Sequence, residues 1–243
     1  MNLNPYRQQF PNRAIFPVIH VRDYEQAHAN LTVAQTANVD GVFLIQHGAS
    51  HADTLETIIE RLRQDGRCEE LWLAANFLTS LNHRAFALSH QLGLDGIWTD
   101  NAYALTFQAR HDDEMRKIHN DAKTDRGEKP ILYFGGAAFK YQPQAEDWVK
   151  EAEAAIPFTD VVTTSGPETG RAASIEKLRA IRNAIGNHPL AVASGVTAKN
   201  VTEQLRYADA VLVATSISDD FDTLSLAKLN ELVEIVHAYQ PPN

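Results

Sequence analysis

The chain has 243 residues, 44% of them hydrophobic, so it can fill one core, yet no apolar run is long enough to cross a bilayer. Its formal net charge of -9 argues against nucleic acid as a partner, because binding to a phosphate backbone needs clustered Lys and Arg. The single cysteine, Cys68, excludes an internal disulfide framework, and the first residues lack an apolar signal region. We therefore expect a cytoplasmic protein without membrane insertion.

Eight apolar runs follow one another along the chain, and a segment with helical periodicity follows each. The runs begin near Ile15, Gly41, Glu70, Asp95, Ile131, Thr159, Pro189 and Ala210, between 21 and 36 residues apart. Eight βα units in a chain close to the usual length of about 250 residues predict one (β/α)8 barrel domain over residues 1–243. A doubly wound open sheet is the alternative, but no GxGxxG follows the first run and we expect no cofactor.

Polar residues gather at the carboxyl ends of the predicted strands, where a barrel of this kind has its active site. In chain order these ends carry His20, Gln46, His47, Asn76, Asp100, Asn101, Gly135, Gly136, Thr164, Ser165, Gly166, Ser194, Gly195, Thr215 and Ser216. The unit after Asn101 is the longest. Its charged segment 111–129 is typical of a solvated helix face, with a lid over the barrel mouth as the alternative.

The last two strand ends predict an anion site, because barrels often bind phosphate with the loops after strands seven and eight. Backbone amides of Gly195, Val196, Thr215 and Ser216 could donate there, together with the two hydroxyls. The alternative is that Gly195 serves only a tight turn into the next helix. Ala214 counts against the phosphate, since a glycine there would let a ligand approach more closely.

The loop after the sixth strand, SGPETGRAAS, contains both signs of charge. Glu168 could act as an acid or base, and Arg171 could hold an anionic substrate. A mutual ion pair on the surface is the alternative for these two residues.

Two segments resemble the BtpA/SgcQ family of TIM-barrel proteins. They are DVVTTSGPETGRAASIEKLRAI, at 160–181, and PLAVASGVTAKNVTEQLRYADAVLVATS, at 189–216. The likeness extends upstream to LWLAANFLTS, LDGIWTDNA and AAFKYQPQ. The positions that match the motifs of the family are Asn76, Asn101, Lys140, Ser165, Gly166, Thr169, Gly170, Ser194, Gly195, Thr197, Asn200 and Thr215.

The resemblance implies a place in the ribulose-phosphate-binding group of barrels, with links to photosystem I assembly or to sugar metabolism. The chain departs from the family at Ala214, where a glycine is usual, and at VRDYEQ, where a proline-rich run is usual. These departures concern the substrate and not the fold.

Asp100 is the first candidate for a general base, because burial at a strand end would raise the pKa of its carboxyl. Its alternative role is to cap the next helix. Lys140 could stabilise an enediolate or form a Schiff base, although most loop lysines lie on the surface. His20, His47 and His51 raise the question of a zinc site, but their spacing is poor evidence and we expect no metal.

Two classes of function fit these residues. The first is an enzyme, of isomerase, epimerase or lyase type, that acts on a small phosphorylated sugar or nucleoside. The second is a barrel without catalysis that serves as a binding or assembly factor. The expected partner is a small phosphorylated substrate, and the sequence leaves open whether the chain forms a homo-oligomer.

Overall fold

The structure is a computed structural model that describes residues 4–48, 53–66, 69–78, 80, 82–102, 104, 131–140 and 147–241. Its parallel strands close into a barrel in chain order, and β8 pairs with β1. The strands are β1 Ala14–His20, β2 Val42–Ile45, β3 Leu73–Asn76, β4 Gly96–Thr99, β5 Leu132–Gly136, β6 Val161–Ser165, β7 Leu190–Ala193 and β8 Ala210–Val213. The predicted (β/α)8 barrel is confirmed, while His51 and the charged segment 111–129 lie outside the described residues.

Helices surround this barrel. In the described ranges they are α1 Pro5–Gln9, α2 Tyr24–Thr36, α3 Leu55–Gln64, α4 Asn82–Gln91, α5 Trp148–Ala155, α6 Ile175–Ile185, α7 Val201–Gln204 and α8 Leu226–Ala238. Asp23, Thr54 and Ser174 cap the amino-terminal ends of α2, α3 and α6. Each side chain accepts a hydrogen bond from a backbone amide of the first turn. Within the same ranges, every helix is too short or too polar to cross a bilayer.

Aromatic side chains fill the inside of the barrel. Phe43 of β2 lies edge to face with Phe16 of β1, at 5.7 Å between ring centroids, and with Phe134 of β5, at 5.1 Å. Trp72, just before β3, packs against all three rings. Such pairs contribute about 0.5–1.5 kcal/mol each beyond the burial of their area. The interior of the barrel is therefore a packed core.

The amino-terminal end of the barrel is sealed by α1 and by a buried carboxylate. Fully buried Tyr6 of α1 donates its hydroxyl to the carbonyl oxygen of Asp209, at 3.2 Å. The Asp209 carboxylate accepts hydrogen bonds from Arg13 and Arg182, both at 2.6 Å, and from Arg7 at 3.2 Å. These contacts join α1, α6 and the start of β8 at the end opposite to the candidate site residues.

Candidate functional site

A cavity of about 520 Å³ opens at the carboxyl ends of the strands. This volume lies in the range of about 300–1,000 Å³ that is usual for small-molecule sites. The predicted site residues that line the cavity are His20, Asp100, Lys140, Thr169, Gly170, Ser194, Gly195, Val196 and Thr215. His47 lines it as well, together with apolar residues that contribute most of its walls.

Asp100 reaches the cavity from the end of β4. Asn76, at the end of β3, donates a hydrogen bond from Nδ2 to Oδ1 of Asp100 at 2.9 Å. The backbone of Asp100 lies close to Gly136 of β5, where a Cβ atom would come within 2.0 Å of the Asp100 carbonyl oxygen. Burial raises the pKa of the Asp100 carboxyl, and the bond from Asn76 partly opposes this rise. A raised pKa brings a carboxylate closer to the working range of a general base.

Lys140 enters the same cavity from the segment that follows β5. Its backbone amide donates to Oγ of Ser165 at 2.8 Å, and its Nζ donates to Oγ1 of Thr169 at 2.8 Å. The positive charge of Lys140 also opposes the rise in the pKa of Asp100, so Lys140 lies close enough to interact electrostatically with that carboxyl. The structure therefore brings Asp100 and Lys140 together, as the adjacent positions of their strands predict.

A buried lysine that the sequence reasoning missed holds the two loops beside Lys140. Lys177 of α6 donates hydrogen bonds from Nζ to the carbonyl oxygens of Ala138 and, at 2.8 Å, of Ser165. Burial lowers the pKa of Lys177 to about 8. One signal could have found it, because Lys177 precedes the buried Ile181 by four residues and so lies on the buried face of its helix.

Two glycines of the family motifs serve backbone packing. A Cβ atom on Gly166 would lie 1.8 Å from the carbonyl oxygen of Arg171, and one on Gly195 would lie 2.2 Å from the amide nitrogen of Ala172. Gly195 also has a φ of +63°, which residues with a side chain rarely adopt. The segment at Arg171 and Ala172 therefore packs closely against the loops after β6 and β7. This supports the tight-turn role of Gly195, although Gly195 lines the cavity as well.

Other predicted site residues lie outside the cavity lining. Glu168 and Arg171 form a surface ion pair at 3.1 Å, with side chains 53% and 68% exposed, which is the alternative that we considered for them. Ser165 is fully buried behind Lys140. Asn101, Ser216 and Asn76 are also absent from the lining. Asn76 lies behind the lining residue Asp100, to which it donates its hydrogen bond.

The histidines at the ends of β1 and β2 form an uncharged pair. The rings of His20 and His47 are stacked, with centroids 5.0 Å apart. Burial lowers the pKa of His20 to about 4 and also lowers the pKa of His47. In the part of the chain that the structure describes, no three His, Cys, Asp or Glu side chains come together as metal ligands, and His51 lies outside that part.

Solved structures share the fold of this chain at low sequence identity. The tryptophan synthase subunit alpha from Legionella pneumophila has a TM-score of 0.66 and 12% identity, over 98% of this chain and 100% of the other. The phosphoribosyl anthranilate isomerase from Thermus thermophilus has a TM-score of 0.63 and 12% identity, over 93% of this chain and 98% of the other. At these identities the likeness shows the fold alone. No curated protein is significantly similar in sequence.

The BtpA family matches residues 137–238, from the segment after β5 to the end of α8. The match includes Lys140 and the loops after β6, β7 and β8, and it confirms the resemblance in the segments 160–181 and 189–216. The chain is therefore a TIM barrel whose residues 137–238 are similar to the BtpA family.

Proposed function

We propose that the protein is an enzyme that moves a proton beside the carbonyl group of a small phosphorylated sugar or nucleoside, as an isomerase, epimerase or lyase does. The observation that carries the proposal is the placement of Asp100 and Lys140 in one cavity, next to the loops after β7 and β8. The phosphoribosyl anthranilate isomerase that shares the fold is, by its name, an isomerase of a phosphorylated compound, which agrees with this class.

Asp100 is the base in the proposed reaction. Its carboxylate takes a proton from the carbon next to the substrate carbonyl, and the electron pair of the broken C–H bond forms a C=C bond. The carbonyl oxygen becomes an oxyanion, which the ammonium of Lys140 stabilises. In an isomerisation, Asp100 returns the proton to the former carbonyl carbon, and the hydroxyl on the deprotonated carbon passes its proton to the oxyanion, so that the carbonyl forms there. In an epimerisation, a solvent proton adds to the opposite face of the deprotonated carbon, the carbonyl reforms, and Asp100 releases its proton to solvent.

The phosphate group lies, in this proposal, against the loops after β7 and β8. Gly195, Val196 and Thr215 line the cavity there and offer backbone amides, and Thr215 adds a hydroxyl. Among the described residues that line the cavity, Lys140 is the one Lys or Arg. A phosphate at this end would therefore be held mainly by amides, which is compatible with the acidic composition of the chain.

Solvent deuterium incorporation tests the proton transfer. The wild-type protein should exchange the proton next to the carbonyl in one member of a panel of phosphorylated aldoses and ketoses that includes ribose 5-phosphate. Asp100→Asn should bind that compound without exchange, and Lys140→Ala should lower turnover about 100-fold, as loss of one oxyanion donor does. Glu168→Gln is the control, because that carboxylate is exposed outside the cavity and its loss should leave the exchange unchanged. Exchange that persists in Asp100→Asn contradicts the assignment of the base.

Thermal stability tests the phosphate anchor. A ligand at one hundred times its dissociation constant adds about 2.7 kcal/mol to the free energy of unfolding. Thr215→Glu should abolish the stabilisation by inorganic phosphate, since it puts a like charge at the exposed edge of the cavity. Thr32→Glu adds the same charge on the exposed face of α2 and should leave the stabilisation intact. Binding without exchange by any compound of the panel would favour the binding or assembly factor.

A further inference from the structure

The cavity has apolar walls that the proposed proton transfer does not use. These walls are the side chains of Val18, Ile45, Leu78, Trp98, Leu212 and Phe221. We propose that they bind a flat, uncharged ring of the substrate, which makes the substrate a phosphate ester that carries an aromatic or heteroaromatic group. The inference rests on the proposed function for the phosphate site, and it adds a ring to the substrate.

Three of the aromatic rings that line the cavity contact one another. The centroid of Phe221 lies 4.4 Å from that of His20 and 6.1 Å from that of His47, and the two imidazoles are stacked on each other. Because burial lowers the pKa of both histidines, the imidazoles are neutral near pH 7. Neutral aromatic rings pack favourably against a further ring at centroid distances of about 4.5–7 Å.

Phe221 is exposed, but its loop is held in place. The side chain is 63% exposed and lines the cavity. The buried Asn30 of α2 donates from Nδ2 to the carbonyl oxygen of Asp222, at 2.6 Å, and accepts from the amide of Leu224, at 2.9 Å. Arg22 forms an ion pair with Asp222 at 2.9 Å. A ring on a fixed loop needs little ordering when a ligand covers it, so more of the contact energy contributes to binding.

The volume of the cavity supports a substrate larger than a phosphate alone. About 520 Å³ is within the range for ligands of drug size, and most of a ligand in such a site contacts apolar or aromatic side chains. The lining includes Gly195 and Thr215 of the amide loops as well as Phe221. In this proposal a phosphate and a ring bind in the cavity at the same time, beside Asp100 and Lys140.

Three phosphate esters of equal charge test the ring site by calorimetry: methyl, cyclohexyl and phenyl phosphate. We expect wild-type protein to bind phenyl phosphate about tenfold more tightly than methyl phosphate, with cyclohexyl phosphate between them. Phe221→Ala should reduce the affinity for phenyl phosphate to that for methyl phosphate, and Phe221→Tyr should restore it. Leu226→Ala removes a different exposed apolar side chain, 38% exposed on α8, and should leave the preference unchanged.

Equal affinity for phenyl and methyl phosphate would overturn the ring site, and so would an unchanged preference in Phe221→Ala. Cyclohexyl phosphate that binds as tightly as phenyl phosphate would overturn the requirement for a flat ring. If none of the esters binds, the phosphate anchor of the proposed function fails, and the uncharged probe benzyl alcohol decides the ring site. Binding of benzyl alcohol that Phe221→Ala removes supports the site, and no binding overturns it.

Discussion

Asn76 and Asp100 lie at the ends of the neighbouring strands β3 and β4, and one hydrogen bond joins them, from Nδ2 of Asn76 to Oδ1 of Asp100 at 2.9 Å. Asn76 is buried, so its amide has little access to water. The bond favours the ionised form of Asp100, whereas burial favours the neutral form and prevails, since the pKa is raised. Asn76 therefore limits how far the pKa of Asp100 rises.

Replacing Asn76 by leucine removes this donor with little change in volume. The pKa of Asp100 should rise further, because the ionised carboxylate loses its hydrogen bond while remaining buried. A base acts only when ionised, so the acid limb of the pH profile of deuterium exchange should move to higher pH. Asn4→Leu is the control, since Asn4 donates its hydrogen bond to the carbonyl oxygen of Asp160, before the start of β6 and away from Asp100. An acid limb at the wild-type pH in Asn76→Leu would contradict this balance.

The spacing of the apolar runs is sufficient to predict the barrel and most of its strands. The last strand begins at Ala210, as expected, and the first begins at Ala14, one residue before the expected Ile15. The third begins at Leu73, although the apolar run starts near Glu70. The reason is that Leu71 and Trp72 are buried in the core before the strand begins, so hydrophobicity does not mark the first ladder residue.

The site is predictable where backbone topology alone determines it. Parallel strands in a barrel bring their carboxyl ends to one face, so Asp100 and Lys140 could be placed together from the sequence. Phe221 could not be placed at the site from the sequence, because its position depends on contacts between Asn30 and the loop at Asp222. These two residues are 192 positions apart in the chain. Such contacts arise from tertiary packing and leave no periodic signal in the sequence.

The buried carboxylate at the closed end of the barrel should be essential for stability. Asp209→Ala leaves Arg7, Arg13 and Arg182 without their shared partner, and breaking a buried pair in this way typically costs about 3–5 kcal/mol. Urea unfolding measures the loss. Asp219→Ala removes an exposed ion pair instead and should change the stability much less. Similar losses in the two variants would show that the network does not stabilise the fold.

His188 should make the protein less stable in acid. Burial lowers its pKa from 6.5 to about 4, so the unfolded chain binds more protons than the folded chain between these values. The free energy of unfolding should therefore fall as the pH drops from 6.5 to 4. His188→Gln should reduce this dependence, measured by urea unfolding across the window. His20 has the same lowered pKa, so the double variant with His20→Gln should reduce it further. A wild-type acid dependence in His188→Gln contradicts the prediction.

Lys177 should make the free energy of unfolding depend on pH in the alkaline range. Burial lowers its pKa from 10.5 to about 8, with the charge of Glu151 opposing the shift. Between pH 8 and 10.5 the unfolded chain binds more protons, so the wild-type protein gains stability as the pH rises through this window. Lys177→Met cannot titrate, and Lys177→Arg stays charged throughout. The difference in unfolding free energy between wild type and either variant should therefore increase from pH 8 to 10.5 and stay constant below pH 8. A constant difference across the whole range would show that the ammonium of Lys177 is not buried as the structure has it.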